Sequence, residues 1–173
     1  QAYNAQAVVD AEAQVIVAAS VTQEPNDKRQ LVPMLKEAIV NVGKPERASA
    51  DAGYFSAEAV TDEAVSGIEL YVPPDRQKHG NTATSEESPP LEGMSVAERM
   101  RQVLRTPQGK DTYRMRKAIV EPVFGQIKEA RGFRRFYFRG LAKVSAEWEL
   151  VCLTHNLLKL FRSGWSPALV GTG

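Results

Sequence analysis

The sequence predicts an α/β domain in which helices pack on a mixed sheet, and three observations carry that reading. Strand-like and helix-like runs alternate in the order β-β-α-β-α-β up to residue 72. A polar stretch poor in apolar residues then interrupts the pattern. Beyond it, apolar side chains recur at helical spacing through two long segments.

Residues 3–9 and 14–21 read as two strands, and the short Asp10-Ala11-Glu12-Ala13 connection makes them an antiparallel hairpin. Asn26 or Asp27 can then cap a helix running to about Val42, with Leu31, Met34, Leu35 and Ala38 on its apolar stripe. Pro33 is tolerated close to the start of that helix, and Gly43-Lys44-Pro45 ends it. Residues 47–50 form a short strand leading into Asp51-Ala52-Gly53-Tyr54. Ser56 caps a helix to about Ser66, and residues 69–72 form the next strand, closed by Pro73-Pro74.

Residues 75–95, rich in Pro, Ser, Thr, Asn and Gly, read as a flexible insertion, and residues 96–105 as a short helix within it. Helical sequence resumes near Asp111, with Ile119, Val120, Val123, Phe124 and Ile127 on one stripe. Pro122 conflicts with a continuous helix there, so a kink or a helix start is expected. The last helix, about 144–162, carries Val144, Trp148, Val151, Cys152, His155, Leu158 and Phe161 on a broad apolar face. Cys152 and His155 fit a packed core on that face.

The 173 residues suffice for one domain, and the net charge of +1 conceals a strong polarity. Residues 1–109 carry ten Lys and Arg against sixteen Asp and Glu. Residues 110–143 carry ten against three, a local balance of +7. Such a stretch suits an anionic partner, nucleic acid first, although a solvated basic helix has the same composition. The single cysteine excludes an internal disulfide and fits a reducing compartment. No apolar run reaches membrane-spanning length and no signal peptide is visible. Because the chain begins Gln1-Ala2-Tyr3 and goes almost straight into a strand, residues are expected to precede it.

Asp51 stands at the C-terminal end of a strand, where ligands bind in open α/β sheets, and Gly53 allows a sharp turn beside it. Glu121 lies seventy positions later within the basic stretch. Two such carboxylates can share Mg²⁺ or Mn²⁺, which take oxygen ligands and leave positions for phosphate oxygens. Arg131, Arg134, Arg135 and Arg139 interleave with Phe133, Phe136, Tyr137 and Phe138. That pattern fits phosphate contact with base stacking, or a core of aromatics with only the arginines turned outward.

Three blocks, Tyr3-Asn4-Ala5-Gln6-Ala7-Val8-Val9-Asp10, Ala50-Asp51-Ala52-Gly53-Tyr54 and Val120-Glu121-Pro122-Val123-Phe124-Gly125-Gln126-Ile127-Lys128, together resemble the DDE-type transposases of bacterial insertion sequences. The third block continues through Arg131-Gly132-Phe133-Arg134-Arg135-Phe136, and the likeness spans nearly the whole chain in the family's order. The resemblance implies a ribonuclease-H-like mixed sheet flanked by helices, here a single partial catalytic domain over 1–173 with a flexible insertion at 75–112. It implies a polynucleotidyl transferase that cuts and joins DNA at transposon ends, using two Mg²⁺ or Mn²⁺ ions held by two Asp and one Glu. Asp51 and Glu121 match the second Asp and the Glu.

The family's basic signature falls on Tyr113, Arg116 or Lys117, and Lys128. The spacing departs from the pattern, since Arg116 precedes Glu121 by five positions and Lys117 by four. Arg131, Arg134 and Arg135 join these as expected DNA-binding residues. The family's first Asp lies on a central strand upstream of a hairpin like residues 3–21, so the chain is expected to lack both. Asp10 reads better as a turn residue and Asp27 as a helix cap than as its substitute. The alternative is a catalytically incomplete, DNA-binding remnant. Double-stranded DNA is the implied partner, the bacterial cytoplasm the implied location, and a homo-oligomer is left open.

Overall fold

Asp10 makes the first turn. Its carboxylate accepts from the backbone N–H groups of Glu12 (3.1 Å) and Ala13 (2.7 Å), the side-chain turn that Asp favours. The chain reverses there, and β1 (Asn4–Val9) pairs antiparallel with β2 (Ile16–Thr22). The computed structural model describes residues 2–75 and 93–164.

Helix α1 (Leu31–Val42) starts later than a cap at Asn26 or Asp27 requires, with Gln30 at its N-cap. Pro33 accounts for the shift, because it now falls in the first turn, where a missing N–H leaves no helical bond unmade. Met34 and Ala38 pack on Ala18 of β2, while Leu31 and Leu35 face a second cluster.

Strands β3 (Arg47–Ser49) and β4 (Glu69–Tyr71) pair in parallel. The single helix expected over 56–66 is broken. Helix α2 (Ala57–Val60) is capped by Ser56, whose hydroxyl accepts from Ala59 N–H at 3.1 Å. The Thr61 hydroxyl then donates back to the Ala57 carbonyl (2.8 Å), and Asp62 caps a separate 3₁₀ turn over Glu63–Val65. Local side-chain bonds of this kind compete with helix continuation.

The expected insertion at residues 76–92 lies outside the described residues. Helix α3 (Val96–Arg105) carries a capping box in which Ser95 and Glu98 satisfy each other's backbone N–H groups. Helix α4 (Pro107–Gly125) begins before Asp111, with Thr106 as cap and Pro107 at the first position. The end of the expected 75–112 insertion is therefore helical. Gly109 sits so close to the Val103 carbonyl at the α3–α4 corner that no Cβ fits.

Helix α4 continues through Pro122 without a break in its helical run, so no helix start falls there. Proline cannot donate to the Ala118 carbonyl four residues earlier, and the Gln14 side-chain amide donates to it instead (3.1 Å). Gln14 adopts a left-handed backbone (φ 55°) in the hairpin turn, and its own oxygens are taken by Lys159 and His155. One π-helical turn, Gln126–Ala130, follows α4, and α5 (Leu141–Arg162) closes the described fold.

The α/β class is observed, and with no central strand joining them the described strands form two two-stranded ladders, β1–β2 and β3–β4, rather than one mixed sheet. No described strand pairs with both. One core joins the hairpin to α4 and α5 through Ile16, Val21, Val123, Ile127, Val144, Trp148 and Cys152. The other joins α1, β4, α2 and α3 through Leu31, Leu35, Leu70, Val72 and Met100. His155 and Cys152 are buried as expected, and burial pushes the Cys152 thiol up to about 12. Phe161, expected on the packed face of α5, is exposed.

Replacing Gln14 by Ala strips the only side chain seen on the Ala118 carbonyl and is expected to lower stability by about 1 kcal/mol in urea unfolding. Gly109→Ala drives a methyl into the Val103 carbonyl and is expected to cost about 1–3 kcal/mol in the same measurement.

Candidate functional site

The backbone delivers Asp51 to the mouth of the β3–β4 ladder. Ala50 N–H still bonds the Tyr71 carbonyl (3.2 Å), and at Asp51 the chain leaves the ladder for a 3₁₀ turn over Ala52–Tyr54. The Asp51 carboxylate is 58 % exposed, and one oxygen meets Arg116 of α4 at 2.8 Å. Arg116 is only 14 % exposed, and the Tyr113 ring lies 5.3 Å from its guanidinium carbon, one helical turn back. Its Nε–H is buried without a hydrogen-bond partner among the described residues.

Asp27 comes up against the turn that follows Asp51. A Cβ on Gly53 would stand 3.4 Å from an Asp27 carboxylate oxygen, an ordinary contact distance, so that carboxylate packs directly on the turn. The other Asp27 oxygen accepts from the Asn4 (2.5 Å) and Gln6 (2.7 Å) amides of β1. Asp27, Lys28, Ala52, Gly53 and Pro74 line a cleft here. The Tyr54 hydroxyl donates to Gln6 Oε1, whose amide nitrogen donates to Asp27. Burial first, then the Asp27 and Asp51 carboxylates, push its pKa up, so it stays a donor. Local sequence gives no sign of this role for Asp27, since its partners are more than twenty residues away.

Glu121 stands apart from this arrangement. It follows Arg116 by five helical positions, about 7.5 Å of rise and about 140° of rotation, which turns it away from the face meeting Asp51. It is exposed and forms no hydrogen bond or ion pair among the described residues. Lys117, four residues before it, shares its face and is also exposed. The two candidates for the basic signature thus part company: Arg116 neutralises Asp51, while Lys117 faces solvent.

Asp10, occupied in the hairpin turn, takes no part in this cluster. Among the described residues no group of three His, Cys, Asp or Glu is gathered to hold a metal ion. The arrangement therefore does not fit a two-ion site: one exposed acid is neutralised, one is bonded to amides, and the third points elsewhere.

The remaining basic residues divide in the same way. Arg131 spends its guanidinium on α5, donating to the Thr154 hydroxyl (2.9 Å), the Thr154 carbonyl (2.6 Å) and the Val151 carbonyl (3.3 Å). Arg134 pairs with Glu129 on the surface. Lys128 lies over the Phe124 ring at 5.7 Å and Arg135 over Tyr137 at 5.6 Å, both exposed. No described helix is long and apolar enough to cross a membrane.

The Asp51–Arg116 contact is testable by a double-mutant cycle with Asp51→Asn and Arg116→Met. A coupling of about 0.5–1 kcal/mol is expected from urea unfolding, as for partly exposed ion pairs.

A family model described as a transposase DDE domain matches residues 75–161, half of the chain. The matched stretch contains Glu121, Arg116, Lys117 and the basic loop before α5, and stops short of Asp51. No curated protein and no solved structure matches the chain.

Proposed function

The chain belongs to the transposase DDE-domain family, and from that premise we propose that it is the backbone-gripping later part of a ribonuclease-H-like catalytic domain. Its function belongs to DNA transposition, and double-stranded DNA is its partner. The observation that carries the reading is the set of exposed cations, Lys117 on α4, Lys128 on the π turn and Arg135 on the loop leading to α5. A duplex presents closely spaced phosphates, and each lysine or arginine that neutralises one releases a counterion. Arg134 joins this surface with its charge shared by Glu129. Arg131 is left out because α5 already uses its donors.

In this reading Asp51 and Glu121 are acids of the reacting site of the complete enzyme. The described residues do not gather that site, and in this reading the chain alone binds DNA without cutting it. The two separate ladders support the same view, because a strand pairing with both would be needed for one mixed sheet. A second reading, cleavage by this chain, draws on the exposed carboxylate of Asp51 at a strand end.

The test is plasmid binding and Mn²⁺-dependent nicking of supercoiled DNA by the chain, by Asp51→Asn and by Glu121→Gln. Low-salt binding without nicking is expected; nicking that disappears in both variants would establish the second reading instead. Lys117→Glu combined with Lys128→Glu is expected to weaken binding about tenfold or more and to reduce the salt slope by about 2. Unchanged binding in that variant would remove these two lysines from the interface.

A further inference from the structure

The loop between the π turn and α5 is built unlike a solvated connection. Glycines with left-handed backbone, Gly132 (φ 70°) and Gly140 (φ 86°), bound it. Phe133 and Phe136 are driven inward, with ring centroids 6.4 Å from that of Trp148, so the loop is anchored in the core. The next two residues do the opposite. Tyr137 is 67 % exposed and Phe138 57 % exposed, although the Tyr137 ring still lies 6.5 Å from that of Phe133.

Their backbone is held by one carboxylate. Glu147 of α5, itself half-buried, accepts from Tyr137 N–H at 3.0 and 3.1 Å and from Phe138 N–H at 3.2 Å. A charge-assisted clamp on consecutive amides fixes two large apolar rings in water, where hydrophobic burial would otherwise draw them in. Cations surround them: Arg135 lies against Tyr137, and Arg139 is exposed next to Phe138.

We propose that this loop is a stacking platform for unpaired bases of single-stranded DNA. The rings of Tyr137 and Phe138 receive base faces, and Arg135 and Arg139 contact the flanking phosphates. A paired base within a duplex has both faces covered by its neighbours, so the platform selects strands whose bases are free. Glu147 is a positioning residue that acts through the backbone of the loop. The proposal rests on the reading that the chain binds DNA, and it adds the kind of DNA this loop prefers.

The experiment compares binding of the full chain to a fluorescein-labelled mixed-sequence single strand and to the matching blunt duplex. Tyr137→Ala with Phe138→Ala is expected to lose about tenfold or more in single-strand affinity while duplex affinity changes less than twofold. Tyr137→Phe keeps the ring and is expected to retain single-strand binding. Both side chains are exposed, so the variants test the surface and not the core, and unchanged circular dichroism checks this. Equal losses for both DNAs, or no loss for either, would overturn the platform. A wild-type chain that binds duplex but not single strand would overturn it while leaving the broader reading intact. A chain that binds neither would remove both.

Discussion

The buried side chain of Gln6 is the tie on which the arrangement depends. It lies in β1 and is 2 % exposed, so an unpaired amide there would be costly. Every polar group it brings is answered: Nε2 donates to Asp27, Oε1 accepts from the Tyr54 hydroxyl, and its backbone carbonyl accepts from the Trp148 indole (2.9 Å). Through one residue the hairpin is fixed to the loop before α1, to the turn after Asp51 and to α5. The placement of Asp27 against the turn after Asp51 follows from that tie. So does the seating of Trp148, which in turn receives Phe133, Phe136 and Phe124.

Pro122 shows a second constraint solved at a distance. A proline inside a helix leaves one carbonyl without its donor, and sequence spacing alone points to a kink or a start. The donor comes from Gln14, more than a hundred residues earlier in the chain. The turn that presents Gln14 also takes up Lys159 and His155 of α5, so hairpin and long helices share one polar junction. The helix that carries Lys117 and Glu121 stays continuous for that reason.

Local chemistry made much of the fold legible in the sequence. The Asp10 turn, the Ser56 cap, the existence of a strand before and another after Asp51, and the buried face of α5 through Val144, Trp148, Cys152 and His155 all follow from short-range patterns. The misreadings have physical causes of two kinds. Asp27 looks like a cap because Asp favours that position, but its real partners are amides across the hairpin, which no local pattern encodes. The helix at 56–66 breaks because Thr61 and Asp62 compete for the backbone. At the candidate site, Asp51 was identifiable from its place after a strand. That Arg116 and not Lys117 meets it depends on the rotational phase of α4, which the spacing departure in the basic signature had left ambiguous.

The division of the strands into two ladders has a dynamic consequence. No backbone ladder links the hairpin to β3–β4 among the described residues; side chains such as Gln6, Tyr54, Asp51 and Arg116 span the gap. Side-chain contacts can be released without breaking any strand pairing, so the docking of the two cores rests on packing, with α1 seated on both. Asp51 stands at that junction through Arg116, and the geometry around it is set by the docking.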